Sequence, residues 1–239
     1  MELLPIRSIR MNSYLPVRVR MQTGRSITRA RARVAFLKFL CYSARMNSKK
    51  LKEESTFVML KPDAVRKGLI GELIKRLEQR DLKIVALEMF QPTVKQIDTH
   101  YPKDQKWIKR LGEKSLQTYA QYQMNPIKEL GTENPDRIGA MVRKWLVEFM
   151  ASGPLVRMVV QGVHSVDMVR KIIGPTMPYL AEMGTFRGDF SSDSAALANS
   201  EKRAVMNLAH ASETPEEAEH EIKFWFGKHP IFKYKRFGE

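Results

Sequence analysis

Short apolar runs separated by turn residues predict a small number of strands in the part of the chain that follows residue 55. Three of these runs are rich in β-branched or large apolar residues, which is typical of buried strands. They are 56–60 (TFVML), 82–90 (LKIVALEMF) and 155–161 (LVRMVVQ). A further short stretch, 208–212, could form a final edge strand.

Helical spacing and capping residues predict the elements between these strands. Apolar residues recur at helical spacing over about 69–80, which predicts an amphipathic helix. Three further helices are predicted to begin at a capping residue: at Asn134 (followed by Pro135), at Ser165 and at Thr214 (with Glu217 three positions on). By contrast, 93–133 is polar with weak periodicity, and 174–190 has the composition of a loop.

The order of these elements is that of an α+β protein. The succession β-α-β, helices, β-α-(β)-α fits a ferredoxin-like split βαβ antiparallel sheet covered by helices, which we expect on one face of the sheet. A fold of this class supports many functions, so the activity must be argued from the residues of a site.

Composition and charge narrow the class of protein. The 239 residues are 43% hydrophobic and 28% charged, with one cysteine, so neither a disulfide framework nor a CxxC metal site is expected. No run of about 18 apolar residues occurs, so no membrane-spanning helix and no membrane partner are expected. The net charge of +15 favours a polyanionic partner such as a nucleotide or nucleic acid.

Most of that charge lies at the N-terminus. Residues 1–45 contain nine arginines and carry a net +9, and we interpret 1–48 as a disordered extension before a domain at 49–239. The segment fits an organellar transit peptide, a nucleic-acid-binding arm, or a start codon placed too early, since Met46 could begin the protein. The expected location is the cytoplasm, with organellar targeting left open.

Four separated segments carry side chains suited to binding phosphate. No GxxxxGK[ST] or GxGxxG pattern occurs, so a phosphate site would be built from side chains instead of a glycine-rich loop. The candidate segments are KPD at 61–63, Arg170 with Thr176, GTFRGDF at 184–190 and NLAHAS at 207–212. Each segment taken alone could be an ordinary structural feature. No pair of histidines has the sequence spacing of a zinc site.

Six motifs together resemble those of nucleoside diphosphate kinases. They are TFVMLKPDAV, His100-Tyr101, SGPLV, GPTMP, GTFRGDF and NLAHAS, in the order of the family and over about 55–226. The resemblance implies transfer of the γ-phosphate of ATP to nucleoside diphosphates through a phosphohistidine. It also implies Mg²⁺ bound through the nucleotide phosphates without protein ligands, and a homo-oligomer, either hexamer or tetramer.

Matched positions give each candidate residue a role. By this resemblance, His210 is the nucleophile that becomes phosphorylated. Six residues are expected around the nucleotide: Lys61, Tyr101, Arg170, Thr176, Arg187 and Asn207. Ser212 and Glu221 are expected behind His210, with Glu221 orienting the imidazole. Because such a site would hold phosphates and sugar, we expect broad specificity for the base.

The chain departs from the family at two insertions. The longer one covers about 103–141 and is expected to be helical, and the shorter one lies between Phe190 and Asn207. The residue that would stack on the base falls near the first insertion, where Val142, Trp145 and Leu146 remain alternatives. Two other functions stay open: a nucleic-acid-binding protein, favoured by the basic arm, and an inactive regulatory relative, disfavoured because all the matched residues are retained.

Overall fold

The computed structural model describes residues 53–236, which form an antiparallel sheet with helices packed against it. The predictions made for residues 1–48 therefore lie outside the described residues. Within them, four strands are hydrogen-bonded in the order β2-β3-β1-β4. Their bounds are β1 Glu53–Leu60, β2 Lys83–Phe90, β3 Leu155–Val163 and β4 Ala209–Ala211, so all four predicted strands are confirmed.

Helices fill the connections between the strands. They are α1 Pro62–Arg66, α2 Ile70–Glu78, α3 Val94–His100, α4 Gln105–Gln121, α5 Pro126–Leu130, α6 Pro135–Ala151, α7 Ser165–Ile173, α8 Phe186–Phe190, α9 Ala195–Ser200 and α10 Pro215–Phe226, with a 3₁₀ turn at Pro178–Leu180. None of the helices in the described part of the chain is both long and apolar enough to cross a bilayer.

Helices cover both faces of the sheet, so the prediction of a single covered face was wrong. Successive side chains of a strand point to opposite faces. On β1, Val58 and Leu60 pack with α2 and α7, whereas Phe57 and Met59 pack with α3, α6 and α10. The continuous apolar run of β1 carries this signal, because a strand buried on both faces does not alternate with polar residues.

The polar region at 93–133 is mainly helical, containing α3, α4 and α5. Its weak periodicity has a physical cause, because α4 buries only Gly112, Ser115 and Tyr119 and presents no aliphatic stripe. The α4 and α6 helices instead approach closely through glycines. A Cβ added to Gly112 would lie 1.8 Å from the carbonyl oxygen of Pro135, and one added to Gly139 would lie 1.9 Å from that of Ile108.

The predicted helix starts agree with the structure at two positions of three. Asn134 accepts hydrogen bonds from the first turn of α6, and Thr214 accepts one from Glu217 N at 3.1 Å. Ser165 does not cap α7. It is the first residue of that helix, and its hydroxyl donates to the carbonyl of Glu54 on β1. Likewise, 174–190 is not wholly a loop, because it contains the 3₁₀ turn and α8.

Candidate active site

His210 lies on the short edge strand β4, where its backbone pairs with Met59 of β1. Its ring is partly exposed, and its Nε2 lies 2.7 Å from Glu221 Oε1. An ionised carboxylate can only accept a hydrogen bond, so this contact assigns the ring proton to Nε2. Among the described residues, Nδ1 makes no hydrogen bond. The arrangement therefore leaves a lone pair on Nδ1.

Glu221 is buried on α10 and uses both carboxylate oxygens. While Oε1 contacts His210, Oε2 accepts a 2.6 Å hydrogen bond from the buried hydroxyl of Ser212. Burial alone would raise the pKa of Glu221 by favouring the protonated acid. The hydrogen bond and charge of His210, together with the hydrogen bond from Ser212, have a larger effect, so the pKa of Glu221 is lowered. Glu221 is thus held by two hydrogen bonds beside the imidazole, and its role in orienting that ring stays a prediction.

A tight turn before β4 sets the position of His210. Leu208 has a φ of 67°, and Ala209 N donates to Asn207 O at 2.7 Å, which closes a γ-turn. Asp63, just after β1, accepts from Leu208 N at 2.9 Å. Asp63 belongs to the KPD motif, but no role was predicted for it. In the structure it holds the strained turn from a point distant in sequence.

Lys61 and Asn207 form the centre of the cationic part of the site. Lys61 Nζ donates to Asn207 Oδ1 at 2.6 Å, and Asn207 Nδ2 donates to the carbonyl of Thr176 at 3.0 Å. Burial and the nearby charge of Arg187 lower the pKa of Lys61 to about 8, although Asp63 opposes the shift. These contacts join three of the four candidate segments.

Arg187 is held by backbone carbonyl groups. Its guanidinium donates to the carbonyls of Asn207, Gly174 and Ala209 at 2.9, 2.7 and 2.5 Å. Burial, followed by the neighbouring Arg170, lowers the pKa of Arg187 to about 10, so it stays charged at neutral pH. A guanidinium has five N–H groups, so two remain for a ligand.

Arg170 and Thr176 lie at the exposed rim. The side chain of Arg170 is 44% exposed and lies 3.5 Å from Glu213, three residues beyond His210. Thr176 is exposed and reaches the site through its carbonyl group. The structure thus brings the candidate residues of all four segments into one connected region, with the two rim residues the least constrained.

Tyr101 borders a cavity that opens beside His210. This cavity has a volume of about 330 Å³ and is also lined by His100, Glu221, Trp107 and Phe224. Burial raises the pKa of Tyr101 above its ordinary value, so the phenol remains protonated. The three candidates for base stacking, Val142, Trp145 and Leu146, are absent from its lining, and that assignment stays a prediction.

His100 is the residue that the sequence reasoning missed. Its ring centroid lies 5.5 Å from that of His210 with the planes nearly perpendicular, and its Nδ1 lies 3.9 Å from Glu221 Oε1. His100 belongs to the His100-Tyr101 motif, but it lies 110 positions from His210 in sequence. The two histidines meet because α3, which carries His100, packs on the face of the sheet to which the His210 side chain points. No local spacing in the sequence indicates this packing.

The groups around Lys61 and Arg187 are not ligands that a hard cation prefers. A hard cation prefers carboxylate and carbonyl oxygens, whereas these positions present ammonium, guanidinium and amide groups.

Comparisons with known proteins agree with this geometry. A family profile described as "Nucleoside diphosphate kinase" matches residues 54–110 and 108–231. The nucleoside diphosphate kinase of Pyrobaculum aerophilum is 45% identical over 180 residues, which is 75% of this chain and 98% of the relative. That of Pyrococcus abyssi is 40% identical over 185 residues, 77% of this chain and 91% of the relative.

Solved structures give the same result. The crystal structure of an NDP kinase from Pyrobaculum aerophilum superposes with a TM-score of 0.73 at 43% identity, over 76% of this chain and all of that one. A Borrelia burgdorferi nucleoside-diphosphate kinase, solved as a transition-state mimic with vanadate and ADP, gives 0.61 at 32% identity, over 77% of this chain and 94% of that one. The chain belongs to the nucleoside diphosphate kinase family.

Proposed function

We propose that this enzyme transfers the γ-phosphate of ATP to nucleoside diphosphates in two half-reactions, with Nδ1 of His210 as the nucleophile. The observation that carries the assignment is the contact between His210 Nε2 and Glu221, which leaves a lone pair on Nδ1. In the first half-reaction that pair attacks the terminal phosphorus, the bond to the bridging oxygen breaks, and ADP leaves. In the second, a terminal oxygen of the acceptor diphosphate attacks the phosphohistidine and restores the free imidazole.

Glu221 stabilises the imidazole ring while the phosphoryl group is attached. Phosphorylation of Nδ1 with the proton kept on Nε2 gives the ring a positive charge. The ionised carboxylate 2.7 Å from Nε2 offsets that charge without moving, since Ser212 fixes its other oxygen. The transfer therefore needs no proton movement at the ring.

Cationic side chains offset the negative charge of the transferring phosphoryl group. Lys61 and Arg187 are buried and fixed by hydrogen bonds, so little reorganisation is needed when charge shifts. Within residues 53–236, Arg170 at the rim pairs only with the exposed Glu213 at 3.5 Å, so its side chain can turn to the phosphates of an incoming nucleotide. When bound with the nucleotide, Mg²⁺ would neutralise and orient the phosphate oxygens. The Borrelia burgdorferi relative, which holds vanadate and ADP, supports phosphoryl chemistry in this fold.

Labelling of the protein tests this proposal. Incubation with γ-³²P-ATP should give an acid-labile label on the wild-type chain, and addition of a nucleoside diphosphate should discharge it. His210→Ala should lose the label, because it removes the attacking nitrogen, while His164→Asn, an exposed histidine on α7's N-terminal side, should keep it. A label that persists in His210→Ala would place the nucleophile elsewhere.

We also propose that the chain forms a homo-oligomer, a hexamer or a tetramer. The edge strand β2 supports an interface, since Leu87 and Met89 are about half exposed there. Light scattering of the purified chain should give four or six subunits. A monomeric mass at micromolar concentration would contradict the assembly but leave the chemistry at His210 unaffected.

A further inference from the structure

The side of His210 that faces away from the attacking nitrogen carries a cluster of metal-ligating groups. His100, His210 and Glu221 each offer one ligand atom, and these atoms all lie within 4.8 Å of one another. We propose that this cluster binds a borderline divalent transition metal such as Zn²⁺, and that the bound metal inhibits phosphoryl transfer. Two histidines and one glutamate, with a remaining position open to water, are a ligand set that suits zinc.

Two of the three distances between the ligand atoms are close to those of a zinc site. Zinc bonds to nitrogen and oxygen at about 2.0–2.2 Å, which in a tetrahedral site separates neighbouring ligand atoms by roughly 3.3 Å. In the structure, Glu221 Oε1 lies 2.7 Å from His210 Nε2 and 3.9 Å from His100 Nδ1. One gap must therefore widen and the other narrow by about half an ångström each. The ligand nitrogens of the two histidines lie within 4.8 Å of each other, so that gap narrows by at most about 1.5 Å.

The Nδ1 atom of His100 is only weakly engaged by the protein. It accepts a long hydrogen bond, 3.4 Å, from Trp225 Nε1 and lies 3.9 Å from Glu221 Oε1. A lone pair used so weakly is available to a metal. Glu221 supplies a carboxylate oxygen to the same cluster.

The cluster is accessible from solvent. It lies at the wall of the 330 Å³ cavity, which is lined also by Glu217 and His220 of α10. These two residues add a carboxylate and an imidazole along the entry path, where they can attract a cation and hold metal-bound water. The open cavity thus supplies both a route and an outer shell.

A metal bound to Nε2 of His210 would inactivate the proposed nucleophile, because the ring proton would then lie on Nδ1. Zinc on Nε2 displaces the proton held there, and a neutral imidazole then carries its single proton on Nδ1. The proton lost from Nε2 goes to solvent and the one gained at Nδ1 comes from solvent, so the change is a shift of tautomer. Nδ1 then has no lone pair for attack. This consequence, unlike the metal site itself, rests on the proposed function.

Zinc binding without nucleotide tests the site independently of catalysis. The full chain carrying Cys41→Ser is used, because a thiolate is a strong zinc ligand, and titrated with Zn²⁺ by calorimetry. We expect one zinc per chain at the cluster, and at least a tenfold loss of affinity in His100→Gln, whereas His164→Asn should bind as the parent does. Equal affinity in His100→Gln and the parent would overturn the proposal.

A second measurement avoids dependence on a variant that could fail to fold. In ¹⁵N-histidine-labelled protein, Zn²⁺ should shift the ring nitrogens of His100 and His210 and convert His210 to the Nδ1–H tautomer. Stoichiometric Zn²⁺ should also slow phosphohistidine formation from excess Mg-ATP at least tenfold, with recovery on addition of a chelator. Shifts confined to the other three histidines would refute the site, and zinc bound at the cluster without slower phosphorylation would refute the inhibition.

Discussion

At the scale of single residues, the proposed reactivity of the site depends on the hydrogen bond made by Nε2 of His210. Glu221 accepts that hydrogen bond, and Ser212 holds the other oxygen of Glu221, so the free lone pair of the imidazole is on Nδ1. The same logic explains why a cation on Nε2 would be inhibitory. In the proposed mechanism, the identity and charge of the partner on Nε2 decide whether His210 can attack phosphorus.

Lys61 makes the enzyme sensitive to alkaline pH. Its pKa of about 8 means that the free enzyme loses this charge as the pH rises through 8, so kcat/KM for ATP should fall above about pH 8. In Lys61→Arg the cation persists, and the fall should move to higher pH even if the overall rate is lower. A pH profile of kcat/KM for both proteins measures this, and identical alkaline limbs would contradict the assignment.

The same pKa has an opposite consequence for stability. Between about pH 8 and the ordinary lysine value, the unfolded chain binds a proton at Lys61 that the folded chain does not. The contribution of Lys61 to the free energy of unfolding should therefore rise with pH across this window. The loss of activity above pH 8 is thus not expected to arise from unfolding caused by Lys61.

At the scale of elements, tight connections place functional groups that the strands and helices alone would leave apart. The γ-turn at Leu208 joins the segment of Asn207 to β4, and Asp63 at the end of β1 holds that turn. Helices α4 and α6 pack against each other through Gly112 and Gly139. Both the turn at Leu208 and the contact between α4 and α6 therefore require residues that allow two backbone segments to come close.

Replacing Gly112 by alanine should destabilise the fold. The new Cβ would meet the Pro135 carbonyl at 1.8 Å, a backbone atom that cannot move away without shifting α6. We expect a loss of about 1–3 kcal/mol in the free energy of unfolding, measured with urea. Gly71→Ala in α2 is the matched control: nothing lies within 4 Å of its added Cβ, so a gain of about 0.5–1 kcal/mol is expected. Equal stability of the two variants would show that α4 and α6 do not pack as described.

At the scale of the whole molecule, the sheet order brings distant parts of the chain into one site. Lys61 and Asn207 are separated by 146 positions in sequence but share a 2.6 Å hydrogen bond, because β1 pairs with β4 at one end of the sheet. All the residues proposed for catalysis lie within 53–236, and the basic N-terminal segment supplies none of them. The chemistry should therefore be independent of that segment.

Deletion of residues 1–45 should leave kcat and KM within about twofold of the full chain, a change of less than 0.5 kcal/mol. Any affinity for nucleic acid should fall sharply with salt and disappear with the same deletion, since nine of the arginines are removed. Steady-state kinetics and binding to an oligonucleotide measure the two effects. A large loss of turnover would show that the segment belongs to the catalytic unit.

Residue patterns were enough for most local features and for the types of residue at the site. The apolar run at 56–60 predicted β1, Asn134 predicted the start of α6, and the motif containing His210 indicated the nucleophile. The segment at about 103–141 was expected to be helical, but the bounds of the helix at 105–121 were not predicted, because its contacts use glycine, serine and tyrosine in place of an aliphatic stripe. Ser165 misled because a hydroxyl at a helix start can equally bond a neighbouring strand, as it does to Glu54.

The sequence by itself determined the strands and most helix starts, because these depend on neighbours within a few positions, and its motifs gave the residues that are predicted to bind phosphate. Only the tertiary structure decided that helices cover both faces of the sheet, that Asp63 holds the turn before β4, and that His100 meets His210 and Glu221. Each of these depends on which strand pairs with which and which face a distant helix covers. Such contacts are fixed by the packing of the whole sheet. A short stretch of sequence does not show which distant residues will pack against it.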